Sequence, residues 1–148
     1  MVKFLRLFLA VLAGLVVGSV VNMGLILVSG RVIPPPPGAD VTTAEGLKAS
    51  LHLFEARHFV FPFLAHALGT LAGAFAAGLL APGRSALPAS IVGGLFLAGG
   101  LVNAFLLPAP LGFTALDLVL AYVPAAWLGQ ALAAGLRGRR KGVAGQAS

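Results

Sequence analysis

Four polar side chains stand in stretches of sequence that otherwise hold almost nothing polar: Asn22, His66, Asn103 and Asp117. An imidazole beside a carboxylate can hold a proton or a cation, and neighbouring amides can orient a ligand. In hydrocarbon each of these groups is costly without a partner, so an intramembrane His or Asp is a functional candidate by default. "GSVVN" at 18–22 is nearly repeated by "GGLVN" at 99–103, and each places an asparagine one helical turn beyond a glycine. Each amide then falls on a small-residue face where a second helix can approach closely, as "GLVVG" at 14–18 also invites. Such amides either clamp helices together, contributing about 0.6–2 kcal/mol each, or line a polar site. His66 shares a stripe with Pro62, Gly69, Thr70 and Gly73, and Asp117 lies near the start of the last apolar stretch. All four groups fall in the same half of their spans, whose other half offers little beyond Gln130. They are read as a ligand-binding set. The structural alternatives are that Asp117 caps its own helix with Thr114 and that His66 is a neutral, hydrogen-bonded strut.

A second cluster lies in "HLFEARH", 52–58. Glu55 and His58 have the Glu-x-x-His spacing of di-metal helical bundles, but that architecture needs a second such motif and two further glutamates. The acids here are only Asp40, Glu45, Glu55 and Asp117. A mononuclear metal site from His52, Glu55 and His58, with His66 as a fourth ligand, is chemically admissible because zinc accepts imidazole and carboxylate. The alternative is a solvated helix carrying surface ion pairs. The serines of "RSALP" and "VSGR" have no His and Asp arranged for a hydrolase triad, and no phosphate-binding glycine loop precedes a soluble helix. No cofactor is indicated. The absence of cysteine removes disulfides, thiolate metal sites and thiol redox chemistry.

The elements that must position these groups are legible from composition. The 148 residues are 59% hydrophobic and 9% charged, against about a quarter charged in a soluble domain. Apolar stretches at 4–28, 59–80, 88–107 and 113–136 are each long enough for the ~20 residues that cross a bilayer as helix. The predicted fold is all-α: a single membrane domain over 1–148, built as a four-transmembrane-helix bundle. Lys3, Arg6, Arg84, Arg137, Arg139, Arg140 and Lys141 fall on one side, and Arg31, Lys48 and Arg57 on the other. Both termini are therefore expected in the cytoplasm. "RGRRK" at the head of the basic tail, 137–148, reads as an anchor on anionic lipid; the bilayer is the expected partner and nucleic acid is not. The basic, apolar N-terminus resembles a signal peptide, but the oily run continues without a small-residue cleavage site, so a retained span is expected.

The outer loop, 29–57, opens with Pro34 to Pro37, expected as a stiff spacer of about 12 Å, and turns at Gly38 and Asp40. "TTAE" gives Thr42 and Glu45 the capping-box spacing of a helix start. Beyond it Leu47, Leu51 and Phe54 share one helical face, and Lys48, His52 and Glu55 another. A short amphipathic helix of this kind lies on the membrane surface or covers the bundle's mouth. "TALD" predicts a second capping box at Thr114 and Asp117, and Pro124 predicts a kink in the last span. The two asparagine motifs, with "LGTLA" at 68–72 and "LGQAL" at 128–132, admit a parallel two-span repeat or a chance likeness. The Gly/Ala stripes serve packing within one bundle or between protomers of a homo-oligomer.

"VVNMGLI", "PPPPG", "LHLFEARHFVFPFLAHALGT" and "LDLVLAYVPAAW" together resemble an uncharacterised family of small four-span bacterial integral membrane proteins, over nearly the whole chain. The resemblance implies multi-pass topology in a bacterial inner membrane and supplies no mechanism. The first-span glutamate of small multidrug transporters and the motifs of fluoride channels are not found. Three functions follow as expectations. The first is an outward-facing polar pocket that binds or transports a small ligand, proton or cation. The second is a structural or accessory subunit in which the same groups lock the bundle. The third is a metal-dependent membrane enzyme using His52, Glu55 and His58.

Overall fold

The structure, a computed structural model, describes residues 1–83 and 85–146, with side chains up to residue 139. Arg84, and the side chains of Arg140 and Lys141, all counted in the charge asymmetry, lie outside the described residues. The order is α1 (Val2–Val32), α2 (Ala44–Ser50), α3 (Val60–Leu80), α4 (Leu87–Leu106), α5 (Leu111–Leu120) and α6 (Val123–Gln146), with no strand among the described residues. Short 3₁₀ turns at Leu51–Leu53 and Ala56–Phe59 link α2 to α3. Among the described residues four helical stretches are long and apolar enough to cross a membrane: Val2–Val32, Ala56–Leu80, Leu87–Leu106 and Leu111–Arg139. The chain is an all-α, four-helix membrane bundle with a short extra helix over one end.

Helix α3 is central and packs on α1, α4 and α6, and α4 touches α1 and α6 as well. Lipid is as apolar as leucine, so these helices gain little by hiding large side chains and associate through close backbone packing instead. The composition follows that rule. Ala65, Thr70, Ala74, Ala77, Val92 and Ala133 are fully buried, whereas Phe4, Leu27, Phe105 and Trp127 point outward. A methyl added at Gly14 would lie 2.7 Å from the Gly73 carbonyl oxygen, and one added at Gly18 would lie 2.7 Å from that of Gly69. Glycine at these positions is what lets α1 and α3 touch backbone to backbone. At the termini end, Arg137 at the foot of α6 donates from Nη1 to the carbonyls of Ala81 and Gly83, at 3.3 and 3.0 Å, fastening α6 to the α3–α4 loop.

The first helix outruns its expected span by four residues toward the loop and ends at Val32, just before the proline run that cannot continue it. Those prolines do not all extend as a spacer. Pro36 accepts from the Ala39 N–H at 3.0 Å, with Gly38 at φ +82, so Pro37 and Gly38 form the corner of a tight turn. Thr43, not Thr42, caps α2, accepting from Gly46 N–H at 2.9 Å. Thr42 is taken by Asp40, whose carboxylate accepts its N–H at 2.8 Å and its hydroxyl at 2.6 Å. These bonds hold the Asp40 carboxyl below its ordinary value, the hydroxyl contributing most. The Asp40 N–H donates to Ser50 Oγ at 2.9 Å, tying the turn to the end of α2.

The last span is broken rather than kinked. Pro124 has no N–H for the Leu120 carbonyl, and its ring crowds the preceding turn. α5 accordingly stops at Leu120, Ala121 and Tyr122 turn, and α6 restarts at Val123. The same helix starts earlier than expected, at Leu111 behind Pro110, with no side-chain cap. Thr114 and Asp117 thus lie inside α5, and the second capping box does not form, which frees the Asp117 carboxyl to point elsewhere.

Candidate functional site

Asp117 reaches from α5 to α3. His66 Nδ1 lies 2.9 Å from both of its carboxylate oxygens, and the Tyr122 hydroxyl donates to Oδ2 at 3.3 Å, long for an O–H···O bond. An ionised carboxylate accepts only, which makes Nδ1–H the donor that bridges them, and Nε2 makes no hydrogen bond among the described residues. His66 and Tyr122 also stack, with ring centroids 5.6 Å apart. The pair is protected from water, with side chains 20% and 7% exposed for His66 and Asp117. The break in the last span makes this possible, since Tyr122 occupies the turn between α5 and α6 and folds back toward Asp117.

Tyr122 is the residue that sequence reasoning left without a role. It is buried, and Gly100 on α4 leaves room for its phenol: a methyl there would collide with the hydroxyl. The available signal was that the chain's one tyrosine falls two residues before a mid-span proline and five after the intramembrane acid.

Above the pair lies a cavity of about 270 Å³, and Asn22, His66, Asn103 and Asp117 all line it. The structure brings the four expected residues together around one space, although only His66 and Asp117 bond to each other. The two asparagines do not clamp. Neither amide makes a side-chain hydrogen bond among the described residues, and Asn103 is exposed. Their motifs also differ. Gly18 is wedged against α3, whereas Gly99 has open space where a methyl would go. The reason is a crevice of about 480 Å³ between α1 and α4, which Ser19 and Asn22 line from one side and Gly99 and Asn103 from the other. His66 is reached from this crevice as well as from the cavity.

The roof of the cavity is the predicted amphipathic segment. Leu47, Leu51 and Phe54 line it from above, while Lys48, His52 and Glu55 face solvent. Phe59 and Phe113 complete the wall, with ring centroids 4.7 Å apart. The face that spacing assigned to burial is the face that covers the mouth.

His52, Glu55 and His58 are not gathered into a metal centre, and no group of three His, Cys, Asp or Glu side chains sits close enough to hold an ion among the described residues. The Glu-x-x-His spacing does a different job. Glu55 and His58 form a reciprocal capping box for the 3₁₀ turn that leads into α3, with the Glu55 N–H donating to His58 Nδ1 at 3.0 Å. His52 Nδ1 bonds the Ala49 carbonyl at 2.7 Å, and the Glu55 carboxylate pairs with Arg57 at 3.0 Å in solvent.

Chemically the site offers hydrogen-bond acceptors at the base of an apolar chamber: one imidazole nitrogen, the remaining lone pair of a carboxylate, and two amides that can also donate. No protein-family model, curated protein or solved structure matches this chain, so its chemistry is read from the site alone.

Proposed function

We propose that the protein is a multi-pass protein of a bacterial cytoplasmic membrane that binds a small ligand or cation in an outward-facing polar cavity. His66 and Asp117 are its principal binding groups, and Asn22 and Asn103 orient what they hold. The distribution of lysine and arginine supports an orientation with both termini in the cytoplasm and the α2 roof outside. The observation that carries the binding reading is the combination of a cavity with polar groups left free around it: His66 Nε2 and both asparagine amides have no partner among the described residues. Groups whose only role was to lock helices would be paired with one another, because an unpaired polar group in hydrocarbon costs free energy. Below His66 the spans close on fully buried small residues. The geometry therefore favours binding from one face, and transport would require that half to part.

Replacing Asn22 and Asn103 together by leucine tests this against the accessory-subunit reading. Lost clamps would cost about 0.6–2 kcal/mol of stability for each amide and so lower the melting temperature in detergent. Free amides lining a site predict an unchanged or raised melting temperature, because leucine removes unpaired polar groups. A clear fall decides for the locking role. Orientation is checked separately with a single cysteine at Asn103 in this cysteine-free chain. A membrane-impermeant maleimide added outside intact cells labels it if the cavity faces outward, and labelling only after lysis overturns that orientation.

A further inference from the structure

We infer that the cavity takes a single-chain amphiphile with a protonated amine head, the head on Asp117 and His66 and the chain passing the Phe59–Phe113 pair into an adjoining apolar groove. This rests on the binding reading above and narrows it to a ligand class.

The first support is charge. Among the described residues Asp117 is the one carboxylate lining the cavity, and no lysine or arginine lines it. With Nδ1–H committed to Asp117, the neutral ring of His66 presents a lone pair at Nε2. The carboxylate has about four lone-pair directions, of which His66, shared between both oxygens, and Tyr122 take three, leaving one open beside Nε2. An ammonium, with three or fewer N–H donors and no acceptor, matches those vacant positions. A carboxylate ligand would meet Asp117 as a like charge.

The second support is shape. At about 270 Å³ the cavity is at the small end of ligand pockets, which run ~300–1,000 Å³, so a long chain has to leave it. Beside it lies a groove of about 450 Å³ between the start of α3 and α5, lined wholly by apolar residues including Val60, Phe63 and Leu116. Phe54, Phe59 and Phe113 line both spaces and are the partition between them. Their rings touch, with centroids 6.1 Å apart for Phe54–Phe59 and 4.7 Å for Phe59–Phe113, and such rings can turn without breaking a hydrogen bond. Val60 and Leu116 are exposed along the groove, which would face acyl chains in a bilayer. The polar cavity and the lipid phase are thus separated by one aromatic layer.

The test uses the full chain in nanodiscs with labelled histidine, its His66 signal identified by loss in His66→Gln. Decylammonium, decanol and decanoate are titrated in turn, with butylammonium as the short-chain control. Decylammonium is expected to move the His66 signal saturably, decanoate to leave it in place, and Asp117→Asn to weaken the ammonium roughly tenfold or more, the loss of one charge-assisted hydrogen bond. Equal movement by all three long-chain probes overturns the amine head and leaves the binding reading standing. A His66 signal silent to every probe overturns the inference, while the asparagine-to-leucine stability test decides independently whether the cavity is a site. Leu116→Trp, which fills the groove without touching the acid, keeps the test open if Asp117→Asn does not fold. It is expected to abolish the preference for decyl over butyl chains, and an unchanged preference overturns the chain's path.

Discussion

Along α1 and α3 the same two helices behave in opposite ways. At Gly14 and Gly73, and again at Gly18 and Gly69, they are in backbone contact, with each glycine's missing methyl filled by the other helix's carbonyl. One turn nearer the loop end, Asn22 and His66 line a cavity under a roof. The closed half is held by van der Waals contact of small residues, and the open half by one ion-pair-like bond and a few rings. The closed half supplies the rigidity, and the open half can keep polar atoms free because its neighbours do not need them for adhesion. The two asparagine motifs display the same contrast side by side. "GSVVN" straddles the boundary, with its glycine in the closed half and its amide in the open one, whereas "GGLVN" lines the crevice at both ends, through Gly99 and Asn103.

The largest expected effect puts that contrast to the test. Gly18→Leu drives a side chain into the Gly69 carbonyl and the Phe96 ring, both 2.7 Å from the first added carbon. It is expected to cost about 3 kcal/mol or to prevent folding, the upper range for overpacking. Gly99→Leu, at the matching position of the other motif, meets nothing within 4 Å and is expected to change stability by less than about 0.5 kcal/mol. Unfolding of both variants in detergent measures the difference. Equal effects would mean that the motifs are equivalent after all and that the crevice closes when the protein is in lipid.

Span number, the amphipathic roof and the convergence of Asn22, His66, Asn103 and Asp117 were legible because each follows from hydropathy or helical period, which hydrocarbon enforces strictly. What the amides do was not legible, because a glycine one turn before an asparagine has the same spacing whether or not a second helix occupies the face. The role of "ExxH" was hidden for a related reason. Glu and His at that spacing satisfy helix-start N–H groups as readily as they bind a metal, and only the partner atoms distinguish the two. Tyr122 was missed because its reach to Asp117 depends on a break in the helix, while sequence period presumes an unbroken one.

A smaller effect is expected from the bond that joins the open half. Asp117→Ala leaves the His66 Nδ1–H and the Tyr122 hydroxyl without their shared acceptor, and both are largely shielded from water. The expected loss is about 1–3 kcal/mol, the cost of stranding buried donors. It should appear as local opening, with faster hydrogen exchange in α5 (Leu111–Leu120) than in the glycine-packed middle of α1. Uniform exchange across both helices would show that the two halves unfold as one unit, and the division between them would have no energetic meaning.

The smallest effect concerns the roof itself. Asp40 fastens the turn before α2 by accepting from Thr42, and those bonds hold its carboxyl below the ordinary value of 3.8. A group whose folded value is depressed lends stability in full above its unfolded value, and that stability drains as pH falls through the folded one. Acidification below 3.8 is therefore expected to loosen α2 while the bundle, whose packing in the closed half is uncharged, stays folded. A nitroxide on a cysteine at exposed Lys48 reads this directly, since its mobility follows α2 and not its own protonation. In the otherwise unaltered chain its mobility should rise on acidification. With Asp40→Ala it should be high at neutral pH and indifferent to acid. A label whose mobility ignores pH when Asp40 is present would show that α2 is held by Leu47, Leu51 and Phe54 alone, making the roof part of the apolar chamber and not a separately latched cover.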